Sequence, residues 1–177
     1  KIAPVARELR RRAAEEGAPL RLFLCSTGQH REMLRPLFEH FEIAPDIDLD
    51  IMEPDQTLAG LSARALRALD ATFARADLPP MDITLVQGDT TTAMCAALAA
   101  YYRRVPCGHI EAGLRTNNLY APFPEEVNRR IISQIATWHF PPTPAARENL
   151  ERSGLAAGQR AWVTGNTVID ALLWTAA

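Results

Sequence analysis

Three short segments place acidic side chains where a packed core would end. GHIEAGLRT, from residue 108, runs out of an apolar stretch straight into Glu111. QGDTTTA sets Asp89 directly after ITLVQG, and YAPFPEE sets Glu125 and Glu126 behind two prolines. Carboxylates brought by separate loops to one rim can take a proton from one atom and return it to another, which requires a positioned base and a positioned acid. Crowded acids can divide those roles, because neighbouring negative charge makes at least one of them hold its proton more tightly. STGQHRE would add Gln29 and His30 to the same edge.

Each residue also has a structural reading. Asp89 before TTTA is a good helix N-cap. Glu125 and Glu126, in a first helical turn behind Pro124, complement the helix dipole by ~0.3–1 kcal/mol each. Glu125 is also spaced to pair with Arg129 at i,i+4. His109 and His139, inside apolar segments, read as hydrogen-bonded core histidines, and His30 beside Arg31 and Glu32 reads as surface. Glu111 is the hardest to explain in this way, since it abuts a strand and is followed by Ala-Gly rather than by a helix to cap.

The sequence has no GxGxxG and no GxxxxGK[ST], so no dinucleotide fingerprint or P-loop is visible. GDTTT could still offer backbone N–H groups to an anion. The histidines at 30, 40, 109 and 139 lack metal-ligand spacing with the cysteines, and no GxSxG elbow marks a serine hydrolase.

The elements that must carry these residues follow from periodicity. Helical spacing links Ile2, Val5, Ala6 and Leu9, with Gly17 as a stop; Met33, Leu34, Leu37, Phe38 and Phe41; and Leu58, Leu61, Ala65, Leu66, Leu69 and Phe73. TTTAMCAALAAYY reads as a nearly all-apolar helix, and further helices are expected over 124–136, over 144–152 and from Asn166. LRLFLC, ITLVQ, CGHI, TWHF and AWVT read as strands. Such alternation predicts an α/β fold, a Rossmann-like parallel sheet with helices on both faces, whose ligands bind beyond the C-terminal strand ends. Asp89 and Glu111 then flank one crevice if their strands are neighbours, about 4.8 Å apart.

The 177 residues, 47% hydrophobic and 23% charged, suit one compact domain burying roughly 70% of its unfolded surface. A net charge of -2 gives no sign of a nucleic-acid partner, and no apolar run reaches membrane-spanning length. The arginines of RELRRR are offset by Glu8, Glu15 and Glu16, which reads as a solvated helix face. Cys25, Cys95 and Cys107, with no CxxC pair and no signal peptide, are expected as buried free thiols in a reducing cytoplasm. The chain begins at Lys1 inside a helical pattern, so a fragment is expected.

Taken in order, KIAPV, TGQHREML, PDIDLDIM, QGDTTTA, GHIEAGLRT, YAPFPEEVNR and TGNTVIDAL resemble the non-hydrolysing UDP-N-acetylglucosamine 2-epimerases from Lys1 to the last helix. The resemblance implies a bacterial enzyme that interconverts UDP-N-acetylglucosamine and UDP-N-acetylmannosamine for cell-envelope polysaccharides, with no cofactor. It also implies the N-terminal half of a glycosyltransferase-B type fold of two Rossmann-like domains. Residues 1–177 would be the N-terminal domain, without its first strand, its Gly-Thr-Arg-Pro-Glu loop or the C-terminal domain, and 166–177 would lead to the interdomain junction. On that reading the chain alone is inactive.

By motif match, Asp89, Glu111 and Glu125 are the acid/base candidates, and Lys1, Asp89 and Glu111 would contact substrate. Gln29, His30 and Glu32 match a loop that holds a second UDP-N-acetylglucosamine as activator, although this chain carries an acid, Asp55, where the neighbouring family segment can carry a base. A homodimer is expected, with no nucleic-acid or membrane partner. The alternatives are a 2-epimerase of a modified UDP-sugar such as a UDP-diacetamido-uronic acid, a hydrolysing epimerase, and a non-catalytic interaction domain of the same fold.

Overall fold

The computed structural model describes residues 1–15, 17, 19–28 and 31–176, without the side chains of residues 31–35. They form two compact units, one comprising Lys1–Pro54 with the chain from Thr167 onward, the other Asp55–Asn166.

In the first unit, helix α1 (Ile2–Ala13) buries Ala3 and Ala6 and stops short of Gly17. Its polar face is solvated as the charges predict: Glu8 pairs with Arg11 and Arg12, and Glu15 pairs with Arg11. Arg10 instead reaches Asp46, whose carboxylate also accepts the Leu24 N–H at 2.7 Å. The strand expected from residue 20 is β1, Cys25–Ser26, paired in parallel with β2, Ile47–Asp48. Its length is set by its partner: ladder-type bonds run from Leu24 to Thr27, opposite 46–51, and residues 20–23 make none of them. Cys25 is exposed in this strand, so the expectation of three buried thiols holds for Cys95 and Cys107 alone. Helix α2 (Arg31–His40) follows β1, and α7 (Thr167–Ala176) packs on α1, with Phe41 edge-on to Trp174 at 5.2 Å.

The second unit carries a four-stranded parallel sheet in sequential order: β3 (Thr84–Gln87), β4 (Cys107–Ile110), β5 (Trp138–Phe140) and β6 (Arg160–Ala161). The ladder past β6 continues through Trp162 N–H to the His139 carbonyl and Thr164 N–H to the Pro141 carbonyl, along the rest of the expected strand. Between strands run α3 (Leu58–Phe73), α4 (Thr91–Tyr102), α5 (Glu125–Ile135) and α6 (Pro144–Arg152). Helix α4 is apolar nearly all round because it packs against α3, α5 and β3 at once. Val86, Ala97, Cys107, Ile132 and Ala136 form the core under the sheet. Fully burying side chains of the size of Ile132 and Leu150 contributes about 1.5–3 kcal/mol each.

Every strand of this parallel sheet ends on the same edge. β3 and β4 are hydrogen-bonded neighbours, with Gln87 opposite Ile110 at the last step. The loop leaving β4 is fixed by Gly113, in the left-handed region at φ 84°, where an added Cβ would lie 2.1 Å from the Ala146 carbonyl oxygen. Only glycine fits that approach to α6.

Candidate active site

Asp89 and Glu111 leave adjacent strands at the C-terminal edge of the second unit. Glu111 takes the left-handed region at φ 65°, sparsely populated by residues with a side chain. Its half-buried carboxylate accepts a 2.6 Å hydrogen bond from Gln87 Nε2, so the last residue of β3 orients the first acid after β4. A methyl placed on Gly88 would meet Glu111 Oε2 at 3.7 Å, which puts that oxygen beside the turn that presents Asp89.

Asp89 is not the helix cap that its position suggests. Thr90 caps α4, its hydroxyl accepting the Ala93 N–H at 3.2 Å. The Asp89 carboxylate instead takes a 2.5 Å ion pair from Arg129, and its carbonyl accepts from Asn128 Nδ2. Both partners sit on α5, which ties the β3 end to the helix that presents Glu125.

Glu125 and Glu126 separate sharply. Glu125 is partly exposed at the first position of α5, and the pairing with Arg129 expected for it goes to its neighbour. Glu126 is fully buried, accepting the Thr116 and Asn117 N–H groups at 3.0 and 3.3 Å and pairing with Arg129 and Arg130. Burial pushes its pKa up, but the Thr116 N–H and the Arg130 guanidinium outweigh that and hold the carboxyl below its ordinary value. Glu126 thus locks the Glu111-to-Glu125 loop onto α5. Its sequence reading as a dipole complement missed this, since two adjacent acids in a first turn look alike until the helix phase is known.

The histidines lie behind this edge. His109 and His139 face each other in register across β4 and β5, both fully buried. His109 donates Nε2–H to the Gly88 carbonyl at 2.8 Å, supporting the β3 turn. The core-histidine reading holds for it, whereas neither ring nitrogen of His139 makes a well-formed hydrogen bond among the described residues, and the Ala136 backbone only partly offsets the effect of burial on its pKa. Burial lowers both pKa values to about 4, so both rings are neutral at pH 7. Lys1 is exposed at the start of the first unit. Gln29, His30 and the Glu32 side chain lie outside the described residues. No group of His, Cys, Asp and Glu among the described residues is arranged to hold a metal ion, and no described helix is long and apolar enough to cross a membrane.

A parallel Rossmann-like sheet with helices between its strands makes this an α/β protein, and its fold matches solved UDP-N-acetylglucosamine 2-epimerases of the glycosyltransferase-B-like class. The family model for UDP-N-acetylglucosamine 2-epimerase matches residues 12–177, and the chain belongs to that family. It is 50% identical over 151 residues to the UDP-N-acetylglucosamine 2-epimerase of Escherichia coli K12, covering 85% of this chain and 39% of that protein. It is 47% identical over 174 residues to the Salmonella typhimurium enzyme, covering 98% of this chain and 44% of that one. The crystal structure of the Neisseria meningitidis UDP-GlcNAc 2-epimerase bound to UDP-GlcNAc superposes with a TM-score of 0.89 at 45% identity, over 99% of this chain and 45% of that one. The chain therefore spans less than half the length of these relatives.

Proposed function

We propose that the full-length protein containing this chain interconverts UDP-N-acetylglucosamine and UDP-N-acetylmannosamine, and that Asp89, Glu111 and Glu125 carry the proton transfers. The observation supporting this reading most directly is the shared edge. Acids leaving β3 and β4 are each held by a side chain of an adjoining element, and Glu125 opens the helix that supplies one of those side chains, in a chain about half identical to enzymes named for this reaction. Residues 1–177 are read as the N-terminal domain. The exposed Ile169, Leu172 and Leu173 of α7 favour a junction with a further domain there. Lys1 is read as a substrate contact, Gln29, His30 and Glu32 as contacts to an activating nucleotide sugar, the full protein as a cytoplasmic homodimer.

The chemistry explains the demand for acids. The sugar C2–H has no adjacent carbonyl, so direct removal of its proton is prohibitively slow. Elimination avoids this: a base takes the C2 proton, the C–H electron pair forms the C1–C2 double bond, and the C1–O bond breaks with its pair leaving on UDP. Re-addition of UDP to 2-acetamidoglucal, with a proton delivered to C2 from the opposite face, gives the epimer. On this reading the margin acids serve the two faces of the sugar, and Arg129 and Gln87 keep two of them oriented.

The test is C2 proton exchange into D2O by full-length Asp89→Asn, Glu111→Gln and Glu125→Gln variants, with a panel of UDP-sugars followed by proton NMR. Loss of exchange is expected. Near-normal exchange in all three ends the proposal, and exchange with a modified sugar alone reassigns the substrate.

A further inference from the structure

Around Glu126 the positive charges outnumber the negative. Arg129 and Arg130 pair with Glu126, and Arg129 also with Asp89, while no carboxylate pairs with Arg115 among the described residues. Arg115 is half-buried, and two of its five N–H groups are used, one on the Leu114 carbonyl and one on Ser133 Oγ. Burial pushes its pKa down, with Arg130 and Arg129 adding to this and Glu126 opposing it. A cation held this way gains from an anion more than a solvated one would, because the surrounding protein screens the attraction less than water does.

The surroundings of Arg115 are shaped for one. It lines a cavity of about 550 Å³ between the β4–α5 loop, α5 and α6, together with Arg130, Arg152 and Gln134. That volume falls within the range of small-molecule sites. Arg130 spends its Nε–H on Glu126 and one Nη2–H on Asn117, so its Nη1 group remains to donate. Arg152 extends from the far wall, its side chain 75% exposed and paired at one nitrogen with Glu148. Donors thus converge from three elements, and none of Asp89, Glu111 and Glu125 lines the cavity.

We propose that this cavity binds the phosphate group of a small molecule, with the guanidinium groups of Arg115, Arg130 and Arg152 as its donors. Phosphate fits better than a carboxylate because three planar, multiply donating groups match its three or more acceptor oxygens. The proposal does not rest on the acid/base reading of the rim.

Calorimetric titration of the full-length protein with inorganic phosphate, in buffers of matched ionic strength, tests it. Phosphate is expected to bind one to one even with UDP at saturation, and Arg152→Glu to weaken it by about tenfold or more while leaving UDP affinity unchanged. Gln134→Glu, which places a negative charge in the same wall, is expected to do the same and guards against a folding defect in the first variant. Loss of the phosphate heat at saturating UDP, wild-type affinity in both variants, or an equal effect from chloride overturns it. Should the protein fail to bind UDP at all, the function proposed above falls, while the two charge variants still decide this site.

Discussion

Glu125 and Glu126 are consecutive, of one chemical type and in one helical turn, yet they belong to different parts of the molecule. One stands partly exposed at the margin of the sheet; the other is fully buried under two backbone N–H groups and two guanidinium groups. The same contrast divides the whole edge. Asp89, Glu111 and Glu125 form a margin that keeps contact with solvent, and Glu126, His109 and His139, fully buried, form a layer behind it with the nearly buried Arg129. Under the proposed function the margin acids must exchange protons with a ligand, whereas the groups that hold them gain by having no alternative partner. The margin should therefore govern rate, and the layer stability.

The largest expected effect tests the first half of that division. In the full-length protein, Asp89→Asn, Glu111→Gln and Glu125→Gln should each lower turnover by about 10²–10⁴-fold, the usual contribution of a positioned acid or base. Melting temperature should barely move for Glu125→Gln, whose carboxylate has no hydrogen-bond or ion-pair partner among the described residues. A stability loss there equal to that of a Glu126 variant would erase the distinction.

Glu126→Ala should act the other way. Removing the carboxylate leaves Arg129, two backbone N–H groups and part of Arg130 without their shared partner, and breaking such a buried pair costs about 3–5 kcal/mol. Urea unfolding measures it. A loss below about 1 kcal/mol would show that the Glu111-to-Glu125 loop holds itself in place.

The buried histidines sharpen the contrast through pH. Unfolded, each ring binds a proton near pH 6.5; folded, burial lowers that to about 4. Between these values the unfolded chain holds more protons, so stability is complete above about pH 6.5 and falls as pH drops toward 4. The loss approaches about 3 kcal/mol per ring at its limit. Glu126, held below its ordinary value, adds a further loss once the pH falls below the ordinary carboxylate range. His139→Phe, replacing a ring with no well-formed hydrogen bond, should roughly halve the slope of unfolding free energy between pH 6.5 and 4. An unchanged slope would remove His139 from the account.

Much of this fold was legible in the sequence because its cause is local. The 3.6-residue period marked α1, α2 and α3, and the uninterrupted apolar run of α4 reflected contacts on several sides. β3 and β4 stood out as apolar runs ending in acids. What stayed hidden depends on partners distant in sequence. β1 came out shorter than its apolar run, and β2, two residues within PDIDLDIM, was not foreseen at all, because strand length is set by the neighbouring strand. The margin acids were visible as residue types at strand ends. The locking role of Glu126 was not, since it requires the phase of α5 and the path of the loop from Thr116.

Asp89 and Thr90 give the smallest test and the cleanest one. Sequence rules favour either residue as a helix cap, and here Thr90 takes that role, leaving the Asp89 carboxylate to Arg129. Thr90→Ala should then cost about 1 kcal/mol in the full-length protein, the usual value of a cap, with turnover close to wild type. Asp89→Asn retains an oxygen that accepts from Arg129 but loses the charge, so it should cost turnover far more than stability. If Thr90→Ala instead lowered turnover as much as Asp89→Asn, the cap and the acid would be one unit. The position of Asp89 would then depend on the start of α4 rather than on Arg129.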